Sequence, residues 1–247
     1  MQLAGIDHLR IEKKGAIDLV TQIDRDVERM FRALVAERFP DHVVLAEEFE
    51  IGGDRHREAE YTWVFDPVDG TTNYAHGLPI FCCACSLERY GQPIASAIYD
   101  PNRRELFTAE RGSGAWLNGT PMRVSSAGAI IDALLVTGFP YSVQTDSAHL
   151  LDLFGEFLRR ARAVRRLGSA AIDMAYVAAG RIDAFWEAKL NPWDVSAGAL
   201  MVEEAGGRVT GMAGGPFDSR TGEVVASNGR IHDAMVDIIR SRSRTTN

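Results

Sequence analysis

The chain has 247 residues, which suits one large α/β domain or two small ones with ample core. Apolar residues make up 46% and charged residues 25%, as in ordinary soluble proteins, and no apolar run reaches membrane-span length. The net charge of −7 argues against nonspecific binding to nucleic acid or to an anionic membrane surface. With no signal-peptide pattern at the start, a cytoplasmic location is the default expectation.

In chain order, Lys14-x-x-x-Asp18-x-Val20-Thr21-x-x-Asp24 reads by itself as the solvated start of a helix. The spacing predicts a helix over 21–39, with Ile23, Val27, Met30, Phe31, Leu34 and Val35 on one face. Thr21 and Asp24 resemble a capping arrangement. Val43-Val44-Leu45 is a short strand leading into the acidic pair Glu47-Glu48. From residue 61 to about 124 the pattern is mostly strands separated by Gly, Pro and Asn turns, with a hairpin signal at Asn118-Gly119.

The three cysteines crowd into Phe81-Cys82-Cys83-Ala84-Cys85. A redox pair wants a helix N-terminus and zinc wants further ligands nearby; neither is visible. The run from Phe81 to Leu87 reads as a buried strand whose alternation sends Cys82 and Cys85 to opposite faces, so core packing is expected.

After about residue 130, strands and helices alternate. Strands are expected over 131–136, 164–167 and 184–187. Helices are expected over 147–160, 168–179 and 195–205, and the segments 224–227 and 231–240 finish the chain. The expected division is a helix plus a largely antiparallel sheet over 1–125, and a mixed α/β half over 126–247.

The most informative stretch is Trp63-Val-Phe-Asp-Pro-Val-Asp-Gly-Thr-Thr-Asn-Tyr-Ala-His-Gly-Leu-Pro79. An apolar strand end leads into two carboxylates, Asp66 and Asp69. Pro67 biases Asp66 toward extended backbone and ends regular pairing. Gly70 permits a sharp turn and close approach of a ligand, and Thr71-Thr72 can start a helix whose free N–H groups face an anion. Two carboxylates beside an anion site suggest metal-assisted chemistry on a phosphate. Taken alone, such a segment is a turn and Thr71 a helix cap.

This stretch resembles the signature of the inositol monophosphatase family, Asp-Pro-aliphatic-Asp-Gly-Thr-Thr-Asn-aromatic. A second match, Trp193-Asp-Val-Ser-Ala-Gly-Ala-Leu-Met-Val-Glu-Glu-Ala-Gly-Gly207, resembles the family's other signature. A third is Leu45-Ala46-Glu47-Glu48, where Ala46 and Phe49 replace residues of the family's common Gly-Glu-Glu-Ser form. The resemblance runs from about Lys13 to Arg240. It implies a layered αβαβα sandwich, of class α/β (α+β), with the site between its halves.

The same resemblance implies two to three Mg2+ ions. Glu47, Asp66 and the Val68 carbonyl would hold one, and Asp66, Asp69 and Asp194 a second. A third, weaker ion would sit near Glu47. Glu48 remains the competitor of Glu47 for the ligand role. Glu47 and Thr71 would orient and deprotonate the attacking water, with Asp69 also in the catalytic set. Gly70 and Thr71 amides would cradle the phosphate, and Lys14 and Asp24 would support the metal–water network.

Arg165-Arg166-Leu167-Gly168-Ser169-Ala170-Ala171 resembles the segment lining the alcohol moiety, which places Ser169 and Ala170 against substrate. Glu187, with Asp69 and Asp194, would accept hydrogen bonds from substrate hydroxyls; alone it reads as a strand-end surface Glu.

The implied activity is lithium-sensitive, Mg2+-dependent hydrolysis of a phosphate monoester, with myo-inositol monophosphate favoured, by a homodimer. Fructose 1,6-bisphosphate, histidinol phosphate and a 3′-phosphoadenosine nucleotide are rival substrates. A noncatalytic phosphate-binding regulator is the rival of another class.

Overall fold

The strand-rich first half pairs as its alternation dictates. The computed structural model describes residues 11–13, 19–49, 58–145 and 147–243; Lys14 lies outside the described residues. A short antiparallel pair, β1 (Ile11–Lys13) and β2 (Leu19–Thr21), leads into helix α1 (Gln22–Arg38). Then come β3 (Val43–Ala46), β4 (Tyr61–Asp69) and a short helix α2 (Thr71–Ala75). The strands β5 (Cys82–Arg89), β6 (Gln92–Asp100), β7 (Glu105–Glu110), β8 (Gly114–Leu117) and β9 (Thr120–Pro121) follow.

These strands form a seven-stranded sheet in the order β3-β4-β5-β6-β7-β8-β9. Every neighbouring pair is antiparallel except β3–β4. The β8–β9 turn places Asn118 and Gly119 at φ 49° and 78°, the left-handed pair that a two-residue hairpin requires.

The second half supplies β10 (Leu134–Thr137), α3 (Ala148–Arg160), β11 (Ala163–Arg165), α4 (Ala170–Ala178) and β12 (Ala184–Ala188). It ends with α5 (Pro192–Glu204), β13 (Arg208–Thr210), β14 (Glu223–Ser227) and α6 (His232–Ser243). Its five strands run in the order β11-β10-β12-β14-β13, parallel around β10 and antiparallel around β14.

The layers follow from which helices are apolar all round. Every residue of α5 from Val195 to Val202 is buried, and so are eight residues of α4, so both helices lie between the two sheets. They pack closely because Gly198 has no side chain; a Cβ there would sit 2.5 Å from the Met174 Cβ. Helix α1 covers the outer face of the large sheet through Phe31, whose ring stacks 4.0 Å from that of Phe65. Helices α3 and α6 cover the small sheet from outside, where Phe157 meets Trp186 at 4.3 Å. The result is the expected αβαβα sandwich. Among the described residues no helix is long and apolar enough to cross a membrane.

Several local expectations are corrected. Helix α5 starts at Pro192, because Pro suits the first helical position and the Asn191 N–H donates to Asp194 Oδ2 at 2.6 Å. Residues 130–132 form a 3₁₀ turn ahead of β10, and β13 is too short to leave a periodic signal. The larger correction concerns α1. Of its expected face, Val35 is buried at 4% exposure, but Met30, Leu34 and Ile23 are 67%, 47% and 38% exposed. Asp24 and Glu28 are instead fully buried. Periodicity identified the helix; the polar groups it meets decided which side turns inward.

His232 opens α6 fully buried, with Nε2 2.9 Å from Thr210 Oγ1 and Nδ1 2.8 Å from Ser227 Oγ. Burial, and then Arg208, push its pKa from 6.5 down to about 4, so it folds as the neutral ring. Below pH 6.5 the unfolded chain takes up a proton that the folded chain refuses. The stability tied to this ring is therefore complete above pH 6.5 and is lost as pH falls toward 4. Urea midpoints from pH 7.5 to 5 should fall more steeply for the wild type than for His232→Asn. At pH 7.5 that variant should be less stable by about 1–3 kcal/mol.

Candidate active site

The site forms where β4 stops being regular. Residues three apart on an ideal strand point to opposite faces. Here Asp66 pairs with Ala84 and Asp69 with Cys82, so β4 carries one extra residue at Pro67-Val68. Pro67 tolerates the bulge because it has no N–H to leave unpaired. The bulge brings both carboxylates to one side, where Asp194 joins them from the first turn of α5. Carboxylate oxygens of Asp66, Asp69 and Asp194 lie within 4.8 Å of one another.

Each carboxylate is held separately. Asp66 Oδ1 accepts the Val68 N–H at 2.9 Å. Asp69 Oδ2 accepts the Ser169 hydroxyl at 2.6 Å and the Ala171 N–H at 2.7 Å, so it sits on the N-terminus of α4. Asp194 Oδ2 accepts the Asn191 N–H. Gly70, at φ 97°, makes the turn into α2, and a Cβ there would press against the Ile80 carbonyl at 3.0 Å. Thr71 Oγ1 lies 2.9 Å from the Val68 carbonyl and 3.3 Å from Asp24 Oδ1, to both of which it can donate.

One cleft between the two sheets is lined by Glu47, Asp66, Val68, Asp69, Gly70, Thr71, Ser169, Ala170, Glu187 and Asp194. Asp24 stands behind Thr71. Glu48 is not among the lining residues; its N–H donates to Glu28 instead. Ser169 differs from a simple substrate contact, because its hydroxyl is already given to Asp69.

Burial and proximity make the shared negative charge of this cluster unfavourable. Burial, then Glu47, Asp69 and Asp194, push the Asp66 carboxyl well above its ordinary range. Burial and Asp69 do the same to Asp194. Asp69 is raised by burial, with the Ser169 and Ala171 hydrogen bonds opposing. Converging oxygen donors whose charges repel one another suit a hard divalent ion such as Mg2+.

The far end of the cleft holds groups that sequence reasoning passed over. Asp173 is buried on α4, and its Oδ1 finds no hydrogen-bond partner among the described residues. Burial, then Glu187, hold its pKa well above the carboxylate range. Gly138 follows β10, and a Cβ there would fall 2.1–2.4 Å from the Glu187 carboxylate. A strand followed directly by Gly was the available signal, as at Gly70, because ligands gather beyond the carboxyl ends of strands. Burial and Asp69 push Glu187 up to about 8 against the opposing pull of Arg166, so it is mostly protonated at neutral pH. It can donate a hydrogen bond as well as accept one.

A profile described as "Inositol monophosphatase family" matches residues 2–244. The chain belongs to the inositol monophosphatase family. An inositol-1-monophosphatase of Mesorhizobium japonicum is 39% identical over 235 residues, covering 95% of this chain and 88% of the relative. A Nus factor SuhB of Pseudomonas aeruginosa is 40% identical over 236 residues, covering 95% and 87%. A solved IMPase/NADP phosphatase complexed with Mg2+ and phosphate superposes with a TM-score of 0.84 at 27% identity, covering 94% and 87%. Membership in this family supports a phosphatase.

The Gly138 contact is directly testable. Gly138→Ala should displace Glu187 and lower kcat/KM on a polyol phosphate at least about tenfold, the scale of one lost hydrogen bond to a charged or polar partner. An aryl phosphate, which lacks hydroxyls to reach that wall, should lose less than about threefold. Steady-state kinetics on both substrates checks this.

Proposed function

We propose that this protein is a Mg2+-dependent phosphatase of phosphate monoesters, acting on a phosphorylated polyol with myo-inositol monophosphate favoured. The observation that carries the reading is the convergence of Asp66, Asp69 and Asp194 within 4.8 Å beside the Gly70-Thr71 turn. Glu47, Asp66 and the Val68 carbonyl would hold one ion; Asp66, Asp69 and Asp194 would hold another. A further, weaker ion near Glu47 is part of the same reading. Bound there, the ions would screen the phosphate, acidify water and stabilise the departing oxygen.

The chain's own groups do the rest. First-turn amides of a helix lack intrahelical partners, so Gly70 and Thr71 N–H groups are suited to receive phosphate oxygens. Thr71 Oγ1, fixed by Asp24 and the Val68 carbonyl, orients the attacking water. The Glu47 carboxylate takes its proton. Glu187 meets substrate hydroxyls at the opposite wall, with Asp69 and Asp194 nearer the phosphate. Ser169 acts chiefly by holding Asp69, and Ala170 contributes a small wall.

The rival substrates named above share this chemistry and differ only at the Glu187 end. A regulatory role is favoured by one observation, the relative that carries the name Nus factor. Phosphate release from a substrate panel separates these readings.

Chelation should abolish turnover, Mg2+ should restore it and Ca2+ should support little, because its looser coordination misplaces the reacting oxygens. Full activity after exhaustive chelation would refute the reading. Lithium should inhibit. Asp194→Asn and Glu47→Gln should each lower turnover at least about a hundredfold, about 2.7 kcal/mol of barrier, with circular dichroism unchanged. Retained turnover in either variant removes that residue from the set.

A further inference from the structure

Helix α1 buries Glu28 completely, on the side facing the loop that carries Glu47. Its carboxylate makes a specific set of bonds. Oε2 accepts the Glu48 N–H at 2.7 Å, and Oε1 accepts the Phe49 N–H at 3.2 Å and Arg32 Nε at 2.7 Å. Arg32 spends its remaining nitrogens on the same segment. It donates to the Val44 carbonyl at 3.1 Å and to the Phe49 carbonyl at 2.6 Å.

The pair therefore grips the chain on both sides of Glu47. Val44 lies in β3 before it, and residues 48 and 49 follow directly. An exposed ion pair one helical turn apart contributes little. This one has a fully buried carboxylate and a guanidinium side chain only 16% exposed. Burying such a pair costs desolvation that its own attraction need not recover. Its bonds to four backbone groups near Glu47 are what distinguish it from a surface pair.

We infer that Glu28, clamped by Arg32, is a positioning residue: it fixes where the Glu47 carboxylate stands in the cleft by holding the Glu48 and Phe49 amides. The inference rests on the proposed role of Glu47 as a metal ligand. It assigns to α1 a part in metal binding without contact with the metal. It also explains why a carboxylate is buried on a helix that leaves Ile23, Met30 and Leu34 exposed.

The test is calorimetric Mg2+ titration of the wild type, Glu47→Gln, Glu28→Gln and the double variant, with folding checked by circular dichroism. Glu28→Gln should weaken Mg2+ binding about tenfold or more, the scale of lost hydrogen bonds to a charged group. In the Glu47→Gln background it should weaken binding no further, because a residue acting only through Glu47 has nothing left to position. If Glu28→Gln fails to fold, Arg32→Lys takes its place, with a loss of at least about threefold expected and the same non-additivity. Unchanged Mg2+ affinity in Glu28→Gln beside weakened affinity in Glu47→Gln overturns the inference and leaves the ligand reading intact. Losses that multiply in the double variant also overturn it. Unchanged affinity in Glu47→Gln removes the ligand reading and the inference together.

Discussion

Mutual repulsion of carboxylates is the constraint on which this structure turns. Asp66, Asp69 and Asp194 come within 4.8 Å of one another, and Glu47 adds negative charge nearby. Left free, such groups would move apart or take up protons. Asp66, Asp69 and Asp194 are instead each tied to a backbone N–H of a different element: the β4 bulge, the start of α4 and the start of α5. Helix N-termini and N–H groups compensate part of the charge, and a divalent cation would compensate more.

The middle layer makes this convergence possible. Asp69 receives bonds from α4, and Asp194 stands on α5, so the distance between them is set by how those helices pack. Gly198 allows the close approach to Met174. Helix α5 is also tied to the large sheet by a buried chain: Ser86 donates to Ser196, Ser196 to Glu88, and Arg220 to Glu88. Ser196 lies two residues beyond Asp194, so this chain bears on the same turn as the site. Removing one member of such a network leaves the others buried without partners, which costs more than the bond itself contributes.

The two ends of the cleft have different physical characters. The Gly70-Thr71 end offers backbone donors and converging charges, which suit an anion bridged by cations. The Glu187 end offers a carboxyl held near neutrality beside Asp173, with Arg166 opposing. A carboxyl that can both donate and accept fits hydroxyl groups, whose own hydrogen bonds run either way. On the proposed reading, phosphate chemistry and alcohol recognition are thereby separated across one cavity.

The sequence by itself determined the residue types that line the Asp66–Asp69 end of the cleft, and the layered sandwich followed from the family resemblance those residues carry. Pro between Asp66 and Asp69, Gly70 before two threonines, and Pro192-Trp193-Asp194 are local patterns whose backbone consequences follow from φ restriction and missing donors. Which helices lie between the sheets is seen only in the structure, where α4 and α5 are buried nearly all round. Tertiary structure alone decided the rest. Ser169 holds Asp69 across 100 residues of chain, and a Cβ at Gly138 would meet the carboxylate of Glu187, which comes from another strand. Helix α1 turned Glu28 inward beside Phe31 and Val35 and left Met30 and Leu34 exposed, because the Glu48 and Phe49 N–H groups and Arg32 offered it bonds. Periodicity reports how often a side chain faces one way, whereas the partner waiting there comes from a distant part of the chain.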